Sequence, residues 1–218
     1  MNFPSISEIP PSQRPIIIGL HGGLQSGKDT LATAMREELG PRLISIAFAT
    51  PLKHAMLQMF GGRTENYFGT NQDKDQPFDF WASHLGEGWQ TYRQAMQSFG
   101  DVIRDHIEPN HLIHRAEQLI LDHHATADLN EPPVYCITDV RAGLPPRIAR
   151  EADAIRHWGG RVYRVLRADG VKAATTGIPG HRTEAEIPAE SIDDVLTIEK
   201  GGHAEVARRI LGVALMTR

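Results

Sequence analysis

The sequence is short of several things that would assign it to a class at once. It has one cysteine, Cys136, in 218 residues. A lone cysteine forms no internal disulfide and no cysteine-based zinc site, and it suits a reducing cytoplasm. No run of about 18 apolar residues occurs, so no membrane-spanning helix is expected. The N-terminal MNFPSISEIPPSQRP is polar and broken by proline, unlike the apolar core of a secretory leader. There is no basic excess: 23 Lys and Arg stand against 27 Asp and Glu, a formal net charge of −4. A general coat for nucleic acid would carry the opposite balance. Repeats and low-complexity tracts are also missing. What is left is a globular chain, 40% hydrophobic and 23% charged, long enough for one large domain with its own core.

Short β-branched runs alternate with helical periodicities. Ile16–Leu20, Leu43–Phe48, Val134–Asp139, Arg161–Leu166 and Val195–Ile198 read as strands. The first is continuous enough to be buried on both faces. Helices are expected over Lys28–Leu39, Pro51–Phe60, Thr91–Ile107, His111–Ala125, Pro146–Trp158 and His203–Met216, several of them closed by Gly-Pro or Gly-Gly. Met56 and Met59 are expected in the core. This alternation implies right-handed crossovers and an α/β fold, a parallel sheet of about five strands with helices on both faces. Ligands in such folds sit at the carboxyl ends of the strands. Residues 62–90 and 168–191 show no clear period. Aperiodic stretches this long inside a domain are usually functional or mobile.

The sharpest motif follows the first strand. Gly22-Gly23-Leu24-Gln25-Ser26-Gly27-Lys28-Asp29-Thr30 matches G-x-x-x-x-G-K between a buried strand and an amphipathic helix. Glycines let backbone N–H groups turn inward onto phosphate oxygens. The helix N-terminus adds partial positive charge, and the Lys28 ammonium bridges the phosphates. The hydroxyl stands two places after the lysine instead of one. Thr30 can reach a phosphate or a metal-bound water. Asp29 either lies near the metal or simply favours the helix N-terminus.

At the end of the third strand, Asp139 occupies the place from which an acid faces the phosphate loop and organises Mg²⁺; the alternative is a turn cap. Arg141, two residues on, pairs with Asp139 or with a transferring phosphate, or is a solvated surface arginine. Within Tyr92–Arg104, the residues Arg93, Gln97, Gly100 and Arg104 fall within roughly 60° of one another at about 100° per residue. Two arginines suit a monophosphate, the amide suits a base edge, and Gly100 permits a close approach. An incidental polar face is the competing reading. His111 and His114 have a possible metal-ligand spacing but no acidic or cysteine partner in register, so solvated or capping histidines are preferred. Trp81 and Trp89 suit either base stacking or anchoring of a loop.

Taken together, GLHGGLQSGKDTLA at 19–32, FATPLKHAM at 48–56, YRQAMQSFGDVIRDHI at 92–107 and CITDVR at 136–141 resemble the phage-type deoxynucleoside monophosphate kinases, a branch of the P-loop kinases. GHRTE at 180–184 is a weaker match. The resemblance implies a single P-loop kinase domain over 1–218, with 62–127 as an inserted substrate-binding region and 168–191 as a lid-like segment. It implies transfer of the γ-phosphoryl group of ATP, with Mg²⁺, to the 5′-phosphate of a deoxynucleoside monophosphate. Gly22, Gly23, Gln25, Ser26, Gly27, Lys28, Asp29 and Thr30 would bind ATP. Lys53, Arg93, Gln97, Arg104 and Glu184 would bind the acceptor, and Lys28, Asp139 and Arg141 would act in transfer. The metal would be organised among Asp29, Thr30 and Asp139. Arg167, Lys172 and Arg182 stand where a lid would want its cations. The resemblance and the closing helix are compatible with a homodimer. Two other readings stay open: a P-loop kinase for a modified base in DNA or for another small phosphorylated acceptor, and a nucleotide-binding protein without transfer activity.

Overall fold

Five strands form one sheet with every neighbouring pair parallel: β1 (Ile16–His21), β2 (Leu43–Ile46), β3 (Val134–Val140), β4 (Arg161–Arg167) and β5 (Asp194–Ile198), in the order β2-β3-β1-β4-β5. The computed structural model describes residues 5–78, 89–128, 130–143, 148–170 and 177–216. The helices are α1 (Lys28–Leu39), α2 (Thr50–Phe60), α3 (Thr64–Phe68), α4 (Asn71–Lys74), α5 (Tyr92–Val102), α6 (His111–His124), α7 (Arg150–His157) and α8 (His203–Met216). This is the three-layer α/β arrangement of a P-loop kinase.

The two-residue repeat of a strand sends alternate side chains to opposite faces, and here both faces are covered. Ile16, Ile18 and Leu20 of β1, with Val134 and Cys136 of β3 and Val165 of β4, pack against Leu31 and Met35 of α1 and Ile210 and Leu211 of α8. Ile17, Tyr135, Ile137 and Val162 point the other way, onto the layer built from α2, α5, α6 and α7. Cys136 is wholly buried, and burial pushes its thiol up to about 12, which leaves it an apolar filler. Truncating a fully buried residue such as Leu31 to alanine costs about 2–5 kcal/mol.

Several departures from the expected elements have local causes. The second strand stops at Ile46, because the N–H groups of Phe48 and Ala49 donate to the Asp139 carboxylate and leave the ladder. The described part of 62–90 contains two helices, α3 and α4, each too short to show a period. The Thr70 hydroxyl and the Asp73 side chain cap α4 reciprocally. The helix expected over Thr91–Ile107 is α-helical to Val102 and then makes one π turn, Ile103–Ile107. Met56 is buried, but Met59 falls at the edge of the apolar face and is 64% exposed. Trp89 anchors its segment edge-on to Phe60. Trp81, Lys172 and the start of the helix expected from Pro146 lie outside the described residues. Among the described residues, no helix is long and apolar enough to cross a membrane.

The carboxyl ends of β1, β3 and β4 converge on one edge. β1 runs into the glycine loop, β3 into Arg141, and β4 ends at Arg167. A register shift between Gly19 and His21 separates the end of β1 from β3.

Candidate functional site

The glycine loop joins β1 to α1 through backbone conformations that few side chains accept. Gly22 has φ +156°, Gly27 has φ +96°, and Gln25 is the one non-glycine residue with positive φ among those described, at +58°. A Cβ on Gly22 would lie 2.5 Å from the carbonyl oxygen of Val165. Lys28, the first residue of α1, folds back over the loop. Its Nζ donates to the carbonyls of Gly22 (2.7 Å) and Gly23 (2.8 Å) and to Ser26 Oγ (3.2 Å). Burial, and then the nearby Arg141 guanidinium, pull its pKa down to about 8. Asp29 and Thr30 are exposed on the first turn of α1.

Beside the loop opens a cavity of about 810 Å³, lined among others by Gln25, Thr30, Arg167, Asp169, Lys200 and His203. Its volume suits a nucleoside. His203, the first residue of α8, stands close over the loop: a Cβ on Gly27 would lie 3.0 Å from its Nε2. Neither Lys200 nor His203 carries a sequence signal that would have marked it.

Asp139 does not project freely from β3. Its Oδ1 accepts from Phe48 N–H at 2.7 Å and its Oδ2 from Ala49 N–H at 3.0 Å. The carboxylate therefore fixes the entry to α2, the helix that carries Lys53. Two accepted bonds leave half of its acceptor capacity unused.

A second pocket has Asp139 and Arg141 in its lining. Arg93, Gln97, Gly100 and Arg104 of the helical stripe all line it, together with Lys53 and Glu184. Two further charged residues line it that sequence reasoning missed, Lys74 of α4 and Glu151 of α7. The Thr70-x-x-Asp73 capping pattern was the available signal for α4; Glu151 had none.

The polar groups of this pocket are tightly arranged. Arg93 is held by Asp75 (Nε to Oδ1, 2.7 Å) and Asn71 (Nη2 to Oδ1, 3.0 Å). Gln97 Oε1 accepts from Ile178 N–H at 2.8 Å, so the amide assigned to a base edge touches the chain after β4. The space over Gly100 is filled by Arg104 itself, whose Nη1 would lie 2.9 Å from an added Cβ. Arg104 then reaches Glu151 at 3.5 Å, and the other oxygen of Glu151 accepts from Arg141 N–H at 2.7 Å. Burial pushes the Glu151 carboxyl up to about 7, against the pull of Arg104. Arg141 Nη1 donates to Thr183 O at 3.3 Å and lies 3.9 Å from Glu184.

Two of the cations expected of a lid are paired with carboxylates, and the third, Lys172, lies outside the described residues. Arg182 binds Asp101 and Asp105 on the outer side of the stripe helix, and Arg167 pairs with Asp169. His114 faces Glu108 at 3.6 Å. Among the described residues, no three of His, Cys, Asp or Glu converge on a metal position.

No family model matches the chain. A protein of Acanthamoeba polyphaga mimivirus named "Putative deoxynucleotide monophosphate kinase" is 32% identical over 193 residues, covering 85% of this chain and 89% of that protein. On similarity of that extent the chain belongs to the deoxynucleotide monophosphate kinase family and is a nucleotide kinase.

Proposed function

We propose that the protein transfers the γ-phosphoryl group of ATP to the 5′-phosphate of a deoxynucleoside monophosphate, giving ADP and the deoxynucleoside diphosphate. The observation that carries this reading is the meeting of two anion sites across the end of β3. The glycine loop with Lys28 is one, and the pocket of Lys53, Arg93 and Arg104 is the other; Asp139 and Arg141 line that pocket and act electrostatically on both Lys28 and Lys53. The name of the mimivirus relative supports a deoxynucleotide as acceptor.

The chemistry needs little covalent machinery. An oxygen of the acceptor phosphate attacks the γ-phosphorus in line, and the bond from that phosphorus to the β,γ-bridging oxygen breaks as ADP leaves. A phosphate monoester is already largely dianionic at neutral pH, with a second pKa near 6, so no general base is required. Lys28 exchanges its loop carbonyls for phosphate oxygens. Arg141 spreads the charge of the transferring group, and Arg93 and Arg104 hold the acceptor phosphate in line. Asp29, Thr30 and Asp139 offer the hard oxygen ligands that Mg²⁺ takes, and Asp139 retains the lone pairs to do so. When bound, Mg²⁺ would neutralise charge on the ATP phosphates. Region 62–127 supplies Lys74, Arg93, Gln97 and Arg104 as the acceptor-binding insertion, and Thr183 and Glu184 from 168–191 line the same pocket.

The test is a screen of the common deoxynucleoside monophosphates with ATP and Mg²⁺, read by product separation. At least one should yield its diphosphate with one ADP per turnover. ADP release that no monophosphate stimulates overturns the reading. Lys28→Ala should abolish transfer with the fold intact; normal turnover in that variant would remove the glycine loop from the mechanism.

A further inference from the structure

Two ammonium groups in the acceptor pocket stand outside any ion pair among the described residues. Lys53 of α2 and Lys74 at the end of α4 both line it, and neither makes a hydrogen bond or ion pair with a described residue. Lys53 rests over the Phe68 ring, 5.5 Å from its centroid. Lys74 is half-buried, and burial with the positive charge of Lys53 and Arg93 pulls its pKa down to about 8. The charged groups facing it are Lys53 from α2, Arg93 from α5, Asp29 from α1 and Asp73 from its own helix. Crowding partly desolvated like charges is unfavourable unless an anion enters among them.

The turn that carries Lys74 is built around Arg93. Thr70 and Asp73 cap it, and Asn71 and Asp75 hold the Nη2 and Nε edges of the Arg93 guanidinium. That grip leaves the Nη1 pair of Arg93 without a partner among the described residues. The same turn thus aims Arg93 and presents a second cation beside it. A planar guanidinium with one open edge, flanked by two ammonium groups, matches a tetrahedral phosphate dianion. Lys74 is not part of the lining of the donor cavity beside the glycine loop.

We infer that Lys74 is an acceptor-binding residue, whose ammonium joins Arg93 and Lys53 on the phosphate of the incoming nucleoside monophosphate. The inference rests on the kinase reading above. It makes residues 70–75, from a stretch with no sequence period, a working arm of the acceptor site.

The experiment compares wild type, Lys74→Ala and Lys74→Arg, first in turnover and then by calorimetric titration. The titration uses a deoxynucleoside monophosphate and the same deoxynucleoside without its phosphate. Lys74→Ala should raise the acceptor KM about 10-fold or more, the effect of one lost charge-assisted contact. The KM for ATP should stay within about twofold, and Lys74→Arg should recover most of the loss. In titration the alanine variant should lose affinity for the monophosphate and keep its affinity for the nucleoside. Equal weakening of both ligands, no change in either, or a change confined to ATP overturns the inference. If wild type turns over no monophosphate, the kinase reading fails by itself, and the titration still decides Lys74. A wild type that does not bind the monophosphate more tightly than the nucleoside overturns it.

Discussion

Gln97 Oε1 accepts the backbone N–H of Ile178 at 2.8 Å, tying the helical stripe of the acceptor pocket to the chain beyond β4. A clasp one turn further along the helix reinforces the tie. His181 Nε2 donates to Asp101 at 2.9 Å, and Arg182 bridges Asp101 and Asp105. The Arg182 side chain is 9% exposed, so it is largely shielded from solvent. Arg182→Ala should lower stability by about 1–3 kcal/mol, the usual range for hydrogen bonds to charged groups. Amide exchange at Ile178 should accelerate at the same time. Unchanged protection at Ile178 would show that the Gln97 contact holds the segment without the clasp.

Gly22 is the position in the loop where a side chain has least room. A Cβ there meets the Val165 carbonyl oxygen at 2.5 Å and Ser26 Oγ at 2.8 Å, at φ +156°. The first contact is with backbone of the neighbouring strand and cannot swing aside. Gly22→Ala should therefore destabilise by about 1–3 kcal/mol, a loss of roughly 2–4 °C in Tm per kcal/mol in a chain of this size. It should also remove transfer activity, because relieving the clash shifts the loop backbone over which Lys28 is folded. A variant that melts like wild type and still turns over would mean that the loop relaxes freely.

The parts of the molecule legible in the sequence are those whose signals are local. Ile16–Leu20, the glycine loop and the first turn of α1 announce one another within some twenty residues. The stripe Arg93, Gln97, Gly100 and Arg104 follows from helical period alone, and the structure brings all four to one pocket. Relations that depend on packing between distant segments left no such trace. Glu151 reaches Arg104 and Arg141 N–H only because α7 folds beneath the end of β3. Lys74 reaches the pocket because a four-residue helix, too short to show a period, is pinned to Arg93. The gap at Gly100 was visible, but that its occupant is Arg104 from the next turn was not.

That gap gives a separate prediction. In Gly100→Ala the new methyl would stand 2.9 Å from Arg104 Nη1 and 3.3 Å from Leu52 Cδ1. The guanidinium is the movable partner and would swing away from Glu151. Helix propensity favours alanine by roughly 0.5–1 kcal/mol, so thermal stability should change little. Acceptor KM should rise several-fold while the KM for ATP holds. Unaltered acceptor kinetics would show that Arg104 finds its working position independently of Gly100.

Glu151 makes the stability of the protein depend on pH in a definite direction. Its carboxyl titrates near 7 in the folded chain, pushed up by burial, against 4.5 as its ordinary value. The folded state therefore binds this proton more tightly than the unfolded state. The stabilisation from that proton is fully present below about pH 4.5 and is lost as pH rises through 7. The loss is on the order of 2–4 kcal/mol at full ionisation. Glu151→Gln keeps a side-chain oxygen for Arg141 N–H and removes the titration. The Tm difference between the variant and wild type should thus shift in the variant's favour between pH 5 and pH 8. A difference that stays flat across that range, in the same buffers and salt, would show that Arg104 already holds Glu151 ionised at low pH.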